Sequence, residues 1–181
     1  MNIGFIKLKK EEILAIVLII FAAGSRLLPH PANFAPIAAV GIFSAFVFKN
    51  KLLRFGVPIF AMFVSDSIIG FYTPFIMLSV YLSFFISTLL GQYLKKHQSI
   101  NNGAGVSLFA SLQFYLITNM AVFIFTPQYT KNIQGLINCY YMALPFFRNT
   151  ISGDLFYTAA IFGLFFALKY IYLKKAKLSF N

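Results

Sequence analysis

Of 181 residues, 60% are hydrophobic, 19% aromatic and only 10% charged, where an ordinary soluble domain has about a quarter charged. These totals exclude a soluble globular fold and make the chain, residues 1–181, one all-α integral membrane domain. The net charge of +11 would suggest nucleic acid in a soluble protein, but here the basic residues sit between apolar runs, so no nucleic-acid partner is expected. The one cysteine, Cys139, excludes an internal disulfide and a Cys-rich metal site, and reads as a small apolar filler.

In chain order, Lys7–Lys10, an apolar run from Ile13 and Ala22-Ala23-Gly24 imitate a cleavable signal. The run continues to Leu28, so a first helix is predicted over 12–28, with Glu11 and Glu12 at its start. Five more follow, at 36–48, 55–70, 74–94, 104–125 and 151–173. A long connection, Thr126–Asn149, carries its own apolar stretch at 135–147. Six transmembrane segments fit this pattern.

With the N-terminus cytoplasmic, Lys7, Lys9, Lys10, Lys49, Lys51, Arg54, Lys95, Lys96, Lys169, Lys174, Lys175 and Lys177 all fall inside. Only Arg26, Lys131 and Arg148 fall outside. The positive-inside rule therefore puts both termini in the cytoplasm of a multi-pass protein of the bacterial inner membrane. The basic face also suits anionic lipid.

A span needs about 20 apolar residues to cross roughly 30 Å. Ile37–Phe48 gives about 18 Å of helix and Phe55–Gly70 about 24 Å. Both would fall short at the outer face, leaving a depression roofed by Pro29–Pro36 and Thr126–Asn149. Pro29, Pro31 and Pro36 make the first of these a stiff, non-helical connector.

The polar groups converge on the same side. Arg26, His30, Asn33, Asp66, Arg148, Asn149 and Asp154 all belong to the outer third, and ionisable groups at membrane depth are paired or functional. Asp66, near the C-terminal end of its helix, needs a cation, and Arg26 or Arg148 is available. Asp154 is expected in the first turn of the last helix, where a carboxylate can cap amides. Asn119 needs a hydrogen-bond partner, on a neighbouring helix or a ligand. It extends a polar line, Ser107, Ser111, Tyr115 and Thr118, that reads as helix packing. Two small-residue stripes, Ser79-Ser83-Ser87-Gly91 and Ala159-Gly163-Ala167, read as internal close packing. Aromatics gather on the outer side, among them Phe34, Tyr72, Tyr140, Phe146, Phe147 and Tyr157, as an interfacial belt or walls for a flat ligand. The chain has no HExxH, nucleophile elbow or P-loop, so neither catalysis nor ATP hydrolysis is expected of it, and no cofactor or bound metal.

Arg26-Leu-Leu-Pro-His-Pro-Ala-Asn-Phe-Ala-Pro36, Ser65-Asp66 with Gly70, Thr118-Asn119, Ala143–Thr150 and Gly153-Asp154-Leu-Phe-Tyr157 together resemble an uncharacterised family of small bacterial membrane proteins. That family is grouped with the substrate-binding S components of energy-coupling factor (ECF) transporters. The resemblance covers most of the chain. It implies a six-helix bundle that binds a vitamin or related micronutrient from outside and topples in the membrane to release it. A coupling subunit and two ATPases would complete the importer. Gating would fall to Pro29–Pro36, Phe71–Thr73 and Thr126–Asn149, and substrate binding to Arg26, His30, Asn33, Asp66, Asn119, Arg148, Asn149 and Asp154. Many S components carry alanines four apart on helix 1 for the coupling subunit. Ile13–Leu28 lacks them, which leaves a solitary S-type transporter open. A corrinoid is one candidate ligand, since a neutral His30 imidazole suits cobalt. Rival readings are a structural or assembly subunit and a membrane enzyme acting on a lipid-like substrate.

Overall fold

The computed structural model describes residues 8–178; the expected inner-face residue Lys7 lies outside them. Six helices follow one another: α1 Lys10–Gly24, α2 Ile37–Val47, α3 Lys51–Ile69, α4 Pro74–Lys96, α5 Ile100–Phe125 and α6 Ile133–Leu178, with a 3-10 turn at Ser25–Leu27. No strand occurs among the described residues. α3, α4, α5 and the Ile133–Tyr172 part of α6 are each long and apolar enough to cross a membrane, which is compatible with a multi-pass membrane protein. α1 has 15 residues and α2 only 11.

Polar caps set most of the helix starts. Glu12 accepts the Lys9 amide at 2.9 Å, Asn50 that of Leu52 at 2.8 Å, Ser99 that of Asn102 at 3.0 Å and Asn132 that of Gly135 at 2.8 Å. Two of these caps overturn predicted boundaries. Asn50 starts α3 at Lys51 rather than 55, so α3 has 19 residues and is not a short span. Arg54, expected at the end of a connector, instead reaches back from inside the helix to the Phe48 and Lys49 carbonyls. Asn132 starts α6 at Ile133 rather than 151. The long connection therefore shrinks to residues 126–132, and its apolar stretch joins one helix of 46 residues. Two prolines are tolerated inside helices, each leaving the carbonyl four residues back without its usual donor. For Pro58 that carbonyl belongs to Arg54, and the Ser44 hydroxyl supplies the missing bond at 2.6 Å.

α2 lies at the centre and touches every other helix. Ala38 through Ala45 are all buried, so its lack of an amphipathic pattern follows from having neighbours all round. It crosses α4 very closely: a Cβ on Gly91 would lie 2.3 Å from the Ile42 carbonyl oxygen. Ser79, Ser83 and Ser87 are buried as well; the hydroxyls of Ser83 and Ser87 each bond the carbonyl four residues back at 2.9 Å, and Gln113 of α5 donates to the Ser83 carbonyl and the Ser87 hydroxyl. The α4 stripe thus packs internally, as its spacing predicts. The α6 stripe does not: Ala159, Gly163 and Ala167 are exposed.

The helices alternate in direction. Glu11 meets Lys169 at 3.0 Å, Lys10 meets the Tyr172 hydroxyl at 2.7 Å, Arg54 donates to Gln92 at 2.8 Å, and Lys95 reaches the Val47 and Phe48 carbonyls. These contacts gather the start of α1, both intervening turns and the Lys169 region of α6 at one basic end. Arg26, Lys131 and Arg148 belong to the far end.

Candidate functional site: a cavity above the shortest helix

Because α2 begins only at Ile37, no helix fills the space above its first turn. A cavity of about 340 Å³ occupies it. Of the two helices expected to be short, α2 alone leaves this opening.

The segment from Leu28 to Pro36 forms one rim. Phe34 donates its amide to the Pro31 carbonyl at 2.9 Å, and Asn33 sits at φ 65°, as the third position of a type II turn requires. Asparagine tolerates that left-handed geometry better than most residues. The turn is anchored to α6. Asn149 donates to the Ala32 carbonyl at 2.9 Å, and a Cβ on Gly153 would come within 3.1 Å of the Phe34 backbone. The Phe34 ring packs on Phe156 and Tyr157 at 5.8 and 5.7 Å between centroids.

Arg26 enters the cavity with only 11% of its side chain exposed. It pairs with Asp66 at 2.7 Å and donates to Ser65, while Tyr81 donates to the second Asp66 oxygen at 2.8 Å. Asp66 is 1% exposed and has both oxygens engaged. Its cation is Arg26, not Arg148. The pair contributes one guanidinium edge to the cavity without a net charge. Beside it, the connector between α3 and α4 supplies Tyr72, just after Gly70, whose φ of 110° turns the chain where a side chain would be strained. Burial first, and then the negative charge of Asp66, push the Tyr72 hydroxyl up to about 12 against the opposing effect of Arg26. It is therefore a neutral donor throughout the physiological range.

The opposite wall comes from α5 and α6. Tyr115 stacks on Phe147 with centroids 4.5 Å apart and donates to the Tyr140 carbonyl at 2.6 Å. Tyr140 returns a bond to the Leu116 carbonyl at 2.7 Å, which ties the first turns of α6 along α5. Thr118 and Asn119 also line the cavity. Asn119 donates to the Tyr115 carbonyl at 2.8 Å, leaving its own carbonyl oxygen able to accept from a ligand. The polar line on α5 is thus divided. Ser111 donates to Asp154 at 2.7 Å and Ser107 accepts from Thr158, so these two pack as expected, whereas Tyr115, Thr118 and Asn119 face the opening.

Asp154 corrects its prediction most sharply. It lies mid-helix, not in a first turn, where Ser111 donates to its carboxyl and the free amides of Ala38 and Ala39 stand beside it. It therefore meets the start of α2 from a neighbouring helix, at the end where free amides need an acceptor. It is 2% exposed and sits beneath the cavity floor.

Among the eight residues singled out by sequence, Arg26, Asn33 and Asn119 line the cavity. Asp66, Asn149 and Asp154 hold its walls. His30 and Arg148 are exposed and do not line this cavity, and His30 bonds the neighbouring Pro31 carbonyl. His30 therefore stands outside this cavity's wall. The lining residues not marked for this role include Ile37, Phe114, Val122 and Thr150. Phe114, Thr118 and Val122 recur every four residues on α5, a signal hidden because the whole helix is apolar. Among the described residues no three metal-binding side chains cluster. The arrangement is suited to binding: aromatic walls, an amide acceptor, hydroxyls and a neutralised guanidinium.

No curated protein and no solved structure matches the chain. One family model matches residues 6–176, a family of unknown function (DUF6580), and the chain belongs to that family.

Proposed function

We propose that the protein captures a small, largely uncharged molecule in the far-end cavity and acts as the substrate-binding membrane subunit of an ECF-type importer. The cavity above α2 carries this reading. It is the right size for a compact ligand, walled by Tyr72, Tyr115 and Phe147 and supplied with polar handles by Arg26, Asn33 and Asn119. The gathering of basic residues at the opposite end supports an orientation with both termini cytoplasmic in the bacterial inner membrane, so that the cavity opens outward. The resemblance to S components supports a vitamin or related micronutrient as the ligand. A coupling subunit and ATPases would then drive its release, since the chain has no P-loop.

The test is mass spectrometry of whatever co-purifies in mild detergent, repeated on Asn119→Ala and Thr118→Val. A stoichiometric small molecule that both variants lose while keeping their melting temperature establishes the binding protein and names its substrate. A clean protein with no thermal shift against a vitamin panel overturns the reading in favour of an assembly subunit.

A further inference from the structure

The far-end cavity is polarised in its hydrogen bonds. On the wall from α5 and α6, every hydroxyl has already spent its proton. Thr118 donates to the Phe114 carbonyl at 2.8 Å, Thr150 to the Phe146 carbonyl at 3.0 Å and Tyr115 to the Tyr140 carbonyl at 2.6 Å. A hydroxyl has a single proton beside its lone pairs, so toward a ligand each of these groups accepts. Asn119 adds its side-chain oxygen, and its second amide hydrogen is the one side-chain donor left among the described residues of this wall.

The facing wall has the opposite character. Arg26 carries donors and no acceptor. Its Nη1 and Nη2 hold Ser65 and Asp66, while its Nε hydrogen has no partner among the described residues. Asp66 is held by Arg26 and Tyr81, so the Tyr72 hydroxyl, without a partner among the described residues, keeps its proton for the opening. Asn33 at the rim offers both an acceptor and donors and discriminates nothing. Among the described lining residues Arg26 is the one charged side chain, and Asp66 offsets it at 2.7 Å. An anion entering here would give up its water without finding a net counter-charge, and a cation would meet the guanidinium.

A complementary ligand is therefore neutral, with an acceptor at one edge and donors at the other, and the rings of Tyr115 and Phe147 suit a flat body. A lactam meets these demands together, since it is planar and uncharged and joins a carbonyl to an N–H. Resting on the reading of this cavity as a capture site, we infer that its ligand is an uncharged lactam-type heterocycle, with the ring carbonyl at Arg26 and Tyr72 and its N–H groups at the Thr118 and Asn119 oxygens.

The test is calorimetric titration of the full chain in detergent, at neutral pH, with three uncharged probes of similar size. 2-Aminoquinazolin-4-one has both the carbonyl and the N–H donors, 3-methylquinazolin-4-one keeps the carbonyl alone, and 2-aminoquinazoline keeps the donors alone. The first should bind tightest and each of the others about tenfold more weakly, the effect of roughly one good hydrogen bond. Thr118→Val should weaken the two amino compounds and leave 3-methylquinazolin-4-one unchanged. Tyr72→Phe should weaken the two carbonyl compounds and leave 2-aminoquinazoline unchanged. Neither hydroxyl ties one helix to another, so an unchanged melting temperature is the control for folding. Variants that weaken all three probes equally overturn the proposal, as does tighter binding of the anionic quinazolin-4-one-2-carboxylate, or no binding of any probe. Capture itself is judged separately: a co-purifying molecule that is charged or lacks the carbonyl and N–H edges overturns the lactam while leaving the capture reading intact.

Discussion

Asp66 and Asp154 look alike in the sequence: two carboxylates in apolar surroundings, both in the outer third. In the structure they belong to different regions and neutralise different kinds of positive charge. Asp66 joins α1, α3 and α4 through a formal cation, Arg26, and a tyrosine hydroxyl. Asp154 joins α6 to α2 through partial charges, the free amides of Ala38 and Ala39 and the Ser111 hydroxyl. A buried ion pair adds little beyond a well-packed apolar pair, yet is costly to break. A cap costs less to lose, because only amides are left unsatisfied. The difference sets how each region responds to mutation, and how each supports the cavity between them.

The largest effect should come from Asp66→Ala, which strands Arg26 at 11% exposure. A loss of about 3–5 kcal/mol is expected, read as unfolding in detergent. Asp154→Ala should lose about 1–3 kcal/mol by the same measurement, and should also enlarge the cavity as the first turn of α2 frays. Tyr81→Phe removes one of the two bonds to Asp66 and should cost about 1 kcal/mol, leaving ligand capture intact. The double change Arg26→Met with Asp66→Leu should be close to neutral in stability while reducing ligand affinity. If it proves as damaging as Asp66→Ala, the pair does more than hold the helices together. Smallest of all, His30→Ala and Arg148→Ala should change neither melting temperature nor ligand retention, since neither side chain lines the cavity.

Much of this was legible in the chain itself. Composition and apolar run length determined an all-helical protein with helices long and apolar enough to cross a membrane. The positions of Lys49, Lys95 and Lys169 determined which helix ends would lie together. Pro29, Pro31 and Pro36 marked an irregular rim, and the serine stripe on α4 determined a close seam, because small residues at every fourth position permit nothing bulkier. Tertiary structure decided the rest. Nothing local says that Asp154 should meet the start of a helix more than a hundred residues earlier in sequence, because the amides beside it are freed only by the start of α2. Nothing local separates the α4 stripe from the α6 stripe, since an apolar neighbour and a lipid tail ask the same of a small residue. The continuity of α6 through Pro145 was equally hidden: proline disfavours a helix interior, and tertiary contacts such as the mutual bonds of Tyr115 and Tyr140 along α5 hold the preceding turns in place. The cavity exists for a simple reason of length: α2 is 11 residues long among neighbours of 15 or more, and only their packing around it turns a short helix into an enclosed space.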